Sequence, residues 1–182
     1  LHAWLELIEW IEDGEPDDGQ LRQTAARIDC RVADLEGEIE AFRKILRQPR
    51  VRETLSRRSY RPVHRSGIPE PLATELSAHE LEPTVYRELP FALRQGAELV
   101  HGIIDRVVVL RTGDRAVAAD VIDFKSDKVA EKGAYTVDEA VEHYASQLRV
   151  YREAVSRLFR LPVDRVATRL LFLTPDVLRS VE

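Results

Sequence analysis

The sequence predicts an α/β domain in which several helices precede a β-β-β-α-β core. Three observations carry this reading. Apolar residues recur at helical spacing through most of residues 1–46. From Pro83 onward the texture turns β-branched and aromatic, in runs separated by turn residues. Residues 137–159 then return to helical periodicity before one last strand-like run.

Taken in order, Trp4, Leu5, Ile8 and Ile11 predict a helix over 1–11, ended by Gly14, Pro16 and the Asp17-Asp18-Gly19 run. A second helix is expected over about 20–28. A third is expected over 32–46, where Val32, Leu35, Ile39, Phe42, Ile45 and Leu46 form one stripe that stops before Pro49. Residues 49–72 are basic and punctuated by Pro62, Gly67, Pro69 and Pro71, so they read as a loop or arm with one short helix near 53–56. A turn or two of helix follows at 72–80. Strands are expected at 84–93, 98–110 and 116–124, the last two joined by the turn Arg111-Thr112-Gly113-Asp114-Arg115. A long helix spans 137–159, closed by Leu161-Pro162. A final strand over 165–173 ends at Thr174-Pro175. The chain thus divides into an N-terminal helical region with the basic arm, 1–82, and a core, 83–182, together one domain.

At 182 residues, 44% apolar and 32% charged, the chain is long enough to bury one sizeable core. A lone cysteine, Cys30, excludes an internal disulfide framework, a multi-thiolate zinc site and an iron-sulfur cluster. No apolar run approaches the roughly 20 residues of a membrane-spanning helix. There is no methionine, and the chain opens in Leu1-His2-Ala3-Trp4, so it reads as a segment of a longer polypeptide. Net charge is −5 but uneven: residues 1–48 hold twelve acidic and six basic groups, while 49–65 hold one acidic and six basic. An acidic chain is not an obvious partner for a polyanion, and the arginines at 57, 58, 61 and 65 are the local exception.

The chemistry-bearing residues lie on the central strands. In Ile122-Asp123-Phe124-Lys125, Asp123 and Lys125 are two apart and share a face of a strand. A hairpin centred on Asp114 sets Asp105 opposite Asp123, with Cβ atoms about 5 Å apart. Most Asp-x-Lys triplets on strands are solvent-facing charges. Here Asp105 follows Ile103-Ile104 and Asp123 follows Val121-Ile122, and carboxylates set in apolar strands are costly unless paired or metal-bound. A hard divalent cation compensates such a pair. On the long helix, Gln147 and Tyr151 stack one turn apart, with Tyr144 on the same side.

These residues, in the order Glu88-Leu89-Pro90-Phe91, Gly102-Ile103-Ile104-Asp105, Asp123-Phe124-Lys125 and Gln147-x-x-x-Tyr151, resemble the RecB-type nucleases of the PD-(D/E)XK superfamily. The likeness is closest to the C-terminal nuclease domain of AddA and RecB helicase-nucleases. It implies a restriction-endonuclease-like α-β-β-β-α-β core, a mixed sheet flanked by helices, with extra N-terminal helices. It also implies a Mg²⁺ or Mn²⁺ held by His2, Asp105, Asp123 and the carbonyl of Phe124. Lys125 would orient or deprotonate the attacking water, Gln147 and Tyr151 would support the site or touch DNA, and Glu88 would be an accessory acidic group. Arg57, Arg58 and Arg61 would be possible DNA contacts. The substrate implied is DNA, cut as single strands fed by a linked helicase in double-strand-break repair, in the bacterial cytoplasm and with an AddB- or RecC-type second subunit. The Gly-x-x-x-x-Gly-Lys-Ser/Thr phosphate loop is missing, so ATP would enter only through a motor outside this sequence.

A rival reading is a catalytically silent nuclease-like module that binds DNA or docks a partner. It predicts binding with a steep salt dependence and no metal-dependent cleavage.

Overall fold

The computed structural model describes residues 1–28, 33–61, 81–126, 129 and 135–181. Cys30, Arg65 and the helix expected at 72–80 lie outside the described residues. Five strands, β1 (Glu82–Gln95), β2 (Glu98–Thr112), β3 (Arg115–Lys125), β4 (Val166–Phe172) and β5 (Val177–Ser180), form one mixed sheet in sequence order. β1, β2 and β3 are an antiparallel meander, β4 runs parallel to β3, and β5 is antiparallel to β4. The parallel step is made by the long helix over Val137–Phe159, whose N-terminus carries a reciprocal Thr136/Glu139 capping box. Arg160, in the left-handed region, ends it.

Both faces of the sheet are covered, which is why β3 and β4 are almost wholly buried. One face takes the N-terminal helices α1 (His2–Leu5), α2 (Asp18–Arg27), α3 (Leu35–Leu46) and α4 (Pro49–Thr54). There Trp4, Leu5, Phe42, Leu46 and Leu55 pack on Val108, Leu110, Ile122 and Leu171. On the other face the Val137–Phe159 helix, α5, sets Leu148, Tyr151 and Val155 on Val107, Val109, Val121 and Leu170. Because the helical region and the strands share one core, burial of the sheet depends on residues from both.

Four elements differ from the sequence reading. The helix expected over 1–11 survives only as His2–Leu5, followed by a 3₁₀ turn at Ile11–Asp13 with Trp10 extended between them. The cause is tertiary. The fully buried Arg106 of β2 donates to the carbonyls of Ile8 (3.0 Å) and Glu9, and its guanidinium lies 5.3 Å over the Trp10 ring. Those carbonyls are therefore spent on Arg106, and Ile11 N donates instead to Leu55 O. The basic stretch is not a loose arm up to residue 61. Pro49 starts α4, a 3₁₀ turn follows at Arg57–Tyr60, and Val51, Leu55 and Tyr60 are buried. Asp176 caps α4 from a distance, accepting from Arg50 N and Val51 N. β5 was not expected, and it begins directly after that Asp176, which has φ +53°.

The hairpin register agrees with the expectation by a different route. Gly113 and Asp114 make a two-residue turn, Thr112 pairing with Arg115, and a bulge at Leu110/Arg111 shifts the ladder by one. From Leu110↔Ala118 to Arg106↔Ile122 the pairing is then the one that points Asp105 at Asp123.

A buried polar network pins the helical face to the sheet. Tyr60 Oη donates to Asp120 Oδ2 at 2.8 Å, and Arg169 of β4 forms a two-point pair with the same carboxylate. Burial pushes the Asp120 carboxyl up while Arg169 and Tyr60 pull it back.

Candidate active site

The alternation of β1 and β2 breaks at a single rung. Tyr86 and Leu89 are three apart, yet both pack toward α5, and so do Ile104 and Val107 opposite them. A regular strand would put residues three apart on opposite faces. The break falls at Glu88, whose φ is +48°, and at Asp105 across from it. A non-glycine residue in the left-handed region is strained, and such strain concentrates at functional sites. Its effect is to turn Asp105 toward the N-terminal helices just where the β2–β3 ladder stops at Arg106↔Ile122.

Asp105 Oδ2 accepts from the backbone N–H of Phe124 at 2.8 Å. His2 Nδ1, from α1, lies 3.4 Å from the same oxygen. Asp105 draws the His2 imidazole pKa up, against the lowering effect of burial. The His2 ring also meets Phe124 edge-on at 6.4 Å. Glu88 is partly buried, and burial, then the neighbouring Asp105 and Glu6 carboxylates, push its pKa up.

Lys125 is held from three directions. Its Nζ is 2.6 Å from Asp123 Oδ2, donates to Gln147 Oε1 at 3.2 Å, and sits 3.7 Å over the Tyr144 ring. The contact with Asp123 is an ion pair with angles outside those of a hydrogen bond, so Asp123 Oδ2 is buried and unbonded in that sense. Burial raises the Asp123 pKa and Lys125 opposes the rise. Gln147 Nε2 in turn donates to Tyr151 Oη at 2.7 Å, and that hydroxyl donates to Ile103 O at 3.1 Å. The Tyr151 phenol is pushed up to about 12, chiefly by burial and next by Asp123. Phe91 packs edge-on against Tyr151 at 5.6 Å, and Gly102 lies under the Phe91 ring. A Cβ at 102 would come within 2.9 Å of that ring, so the close approach requires glycine.

His2, Glu88, Asp105, Asp123, Phe124, Lys125, Gln147 and Tyr151 thus lie in one connected set of contacts and charges. Arg57, Arg58 and Arg61 do not join it among the described residues. Arg57 pairs with Asp13 at 3.0 Å and lies 5.4 Å over Trp10, Arg58 is 4.0 Å from Glu12, and Arg61 is exposed. Sequence reasoning gave Tyr144 no role at Lys125, although its spacing of three and seven from Gln147 and Tyr151 was the available signal. The strain at Glu88 had no signal in the sequence.

The donor set suits a hard divalent cation in kind: two carboxylates and an imidazole, with one carboxylate oxygen buried and unbonded. The Lys125 ammonium balances Asp123, and among the described residues no three His, Cys, Asp or Glu side chains are gathered tightly enough to enclose an ion. Chemically, an immobilised amine between two carboxylates can position water and offset charge on a phosphate.

A strained carboxylate rung, an Asp-x-Lys pair on the next strand and a Gln-Tyr brace from the crossover helix belong to a metal-assisted hydrolase class of site. The chain belongs to the PD-(D/E)XK nuclease superfamily, whose model matches residues 1–180. Over 97 residues it is 34% identical to the AddA component of the ATP-dependent helicase/nuclease of Geobacillus thermodenitrificans (strain NG80-2). It is 33% identical, again over 97 residues, to the protein of the same name from Geobacillus kaustophilus (strain HTA426). Each match covers 43% of this chain and 7% of the relative's length. Among the described residues no helix is long and apolar enough to cross a membrane.

Proposed function

We propose that this chain is a metal-dependent deoxyribonuclease domain of the exodeoxyribonuclease V type. It cuts single strands delivered by a linked helicase motor, in recombinational repair of double-strand breaks in the bacterial cytoplasm. The partners are DNA, the upstream motor that consumes ATP, and a second subunit of AddB or RecC type. Residues 1–82 serve as the helical region and 83–182 as the nuclease core of one domain within a larger protein. The observation that carries this reading is the buried Lys125 ammonium, clamped by Asp123, Gln147 and Tyr144 beside Asp105.

His2, Asp105, Asp123 and the Phe124 carbonyl would hold a Mg²⁺ or Mn²⁺ ion. Bound there, the ion supplies Lewis-acid charge to a phosphate oxygen and acidifies water. The protein's own groups do the rest. Lys125 Nζ orients the attacking water and offsets charge on the phosphate. Gln147 fixes that amine and is itself fixed by Tyr151, whose hydroxyl is tied to the β2 backbone. His2 holds Asp105 from the solvent side, and Glu88 adds a further negative charge.

The test is cleavage of an end-labelled single strand with Mg²⁺ and with EDTA. Wild type should cut only with the metal. Lys125→Ala or Asp123→Ala should lose on the order of 10²- to 10³-fold in rate with the fold intact by circular dichroism. Equal cutting by wild type and both variants refutes the assignment, and salt-dependent binding without any cutting favours the silent module.

A further inference from the structure

Beyond Asp105 the β1–β2 hairpin continues to its turn at Gln95–Glu98, and one of its faces is exposed. The register pairs Pro90 with Ile103, Ala92 with His101 and Arg94 with Leu99, which places these six side chains together. The opposite face of the same segment closes on α5 through Phe91 and Leu93, with Gln95 donating to Glu153 and Arg157 donating to Arg94 O. The next rung of the exposed face, toward the site, holds Glu88 and Asp105.

We propose that this face is a track for an unpaired nucleic-acid strand running to or from the phosphate at Asp105. The proposal rests on the nuclease reading and adds to it the surface that selects the substrate. Leu99 is 68% and Ile103 53% exposed, large apolar side chains left in water directly beside a charged site. Between the Asp105 rung and the hairpin turn the face carries the cation Arg94, the imidazole of His101 and no carboxylate, within a chain of net charge −5. It is therefore a surface next to the carboxylates that does not repel phosphates. Single-strand tracks combine a cation for the backbone with flat or apolar side chains for the base faces, and an imidazole ring serves as such a platform. A duplex keeps its base faces stacked and gains nothing from Leu99 or Ile103, so the surface favours a single strand. From Ile103 to Leu99 the track runs roughly 14 Å, the reach of a few nucleotides.

The experiment compares two substrates on the whole chain with Mg²⁺: the twelve-nucleotide strand (dT)12, and bis(p-nitrophenyl) phosphate, which is too small to touch the track. Leu99→Asp/Ile103→Asp should raise KM for (dT)12 at least tenfold with kcat within twofold, and leave hydrolysis of the small diester unchanged. Leu99→Tyr, which enlarges the stacking platform, should tighten (dT)12 binding severalfold in fluorescence anisotropy without metal, a gain that misfolding cannot mimic. An unchanged KM in the double variant, as expected if a protein domain covers this face, overturns the proposal. So does an equal loss on both substrates together with no gain from Leu99→Tyr. If wild type hydrolyses neither substrate, the nuclease reading fails on its own, and the anisotropy of the same variants still decides the track.

Discussion

Lys125 sits where its cationic charge has the most to act on: one carboxylate at 2.6 Å, an amide oxygen at 3.2 Å and an aromatic face at 3.7 Å. Three contacts on a side chain with four rotatable bonds remove most of its freedom before substrate arrives, which is the structural form of preorganisation. Glu88 is the opposite case, a residue held in an unfavourable state. Its backbone is left-handed, and its carboxyl is pushed upward from the ordinary 4.5 by burial, Asp105 and Glu6. A raised folded-state pKa means the native protein binds the Glu88 proton more tightly than the unfolded chain does. The resulting stability is complete below about pH 4.5 and is lost as pH rises through the raised value. Glu88→Gln should therefore melt like wild type at pH 3.5 to 4 and above wild type near pH 7. Thermal melts of the two proteins across that range check this, and an identical difference at both ends contradicts it.

Between residues and fold, the elements differ in how much of their placement could be read from sequence. α5 and the β1–β2–β3 meander were legible because their patterns are local: a 3.6-residue stripe with a Thr136/Glu139 box, and a turn built on Gly113. Asp123 and Lys125 were legible for the same reason, since a period of two fixes which residues share a face. α1 was not, because its end is dictated by Arg106 from 97 and 98 positions away, which takes the Glu9 and Ile8 carbonyls. Nor was the fold of 49–61, where charge masks the apolar spacing of Val51, Leu55 and Tyr60. The flip of face at Glu88 and Asp105 is visible only in coordinates, since either strand alone reads as regular alternation. The hairpin element also carries a packing demand at Gly102. Gly102→Ala would force the Phe91 ring off Tyr151, costing about 1–3 kcal/mol. Chemical denaturation should show that loss, together with reduced cleavage because Tyr151 supports Gln147 and, through it, Lys125. A variant as stable and as active as wild type would show that the ring has room to move.

At the scale of the whole molecule, the N-terminal helical region is part of the core and carries His2 to a carboxylate of β2. What ties it down is polar as well as apolar. Tyr60, Asp120 and Arg169 join the turn after α4, β3 and β4 in a network shut off from water, and Arg106 bonds the 8–10 segment. Removing one partner from such a network strands the others. Asp120→Ala leaves the Arg169 guanidinium buried without its counter-charge and should cost about 3–5 kcal/mol, a fall of roughly 10 °C in Tm. Calorimetry would register it, and a Tm within a degree or two of wild type would mean the pair is replaceable by solvent.

The account as a whole depends on two aspartates from adjacent strands meeting at one ion, with Lys125 beside it. Anomalous scattering from a crystal soaked in Mn²⁺ measures that directly. The expected result is a single strong peak bonded to carboxylate oxygens of both Asp105 and Asp123, with Lys125 adjacent. A crystal saturated with Mn²⁺ that shows no peak there, or shows it only on other carboxylates, contradicts the account.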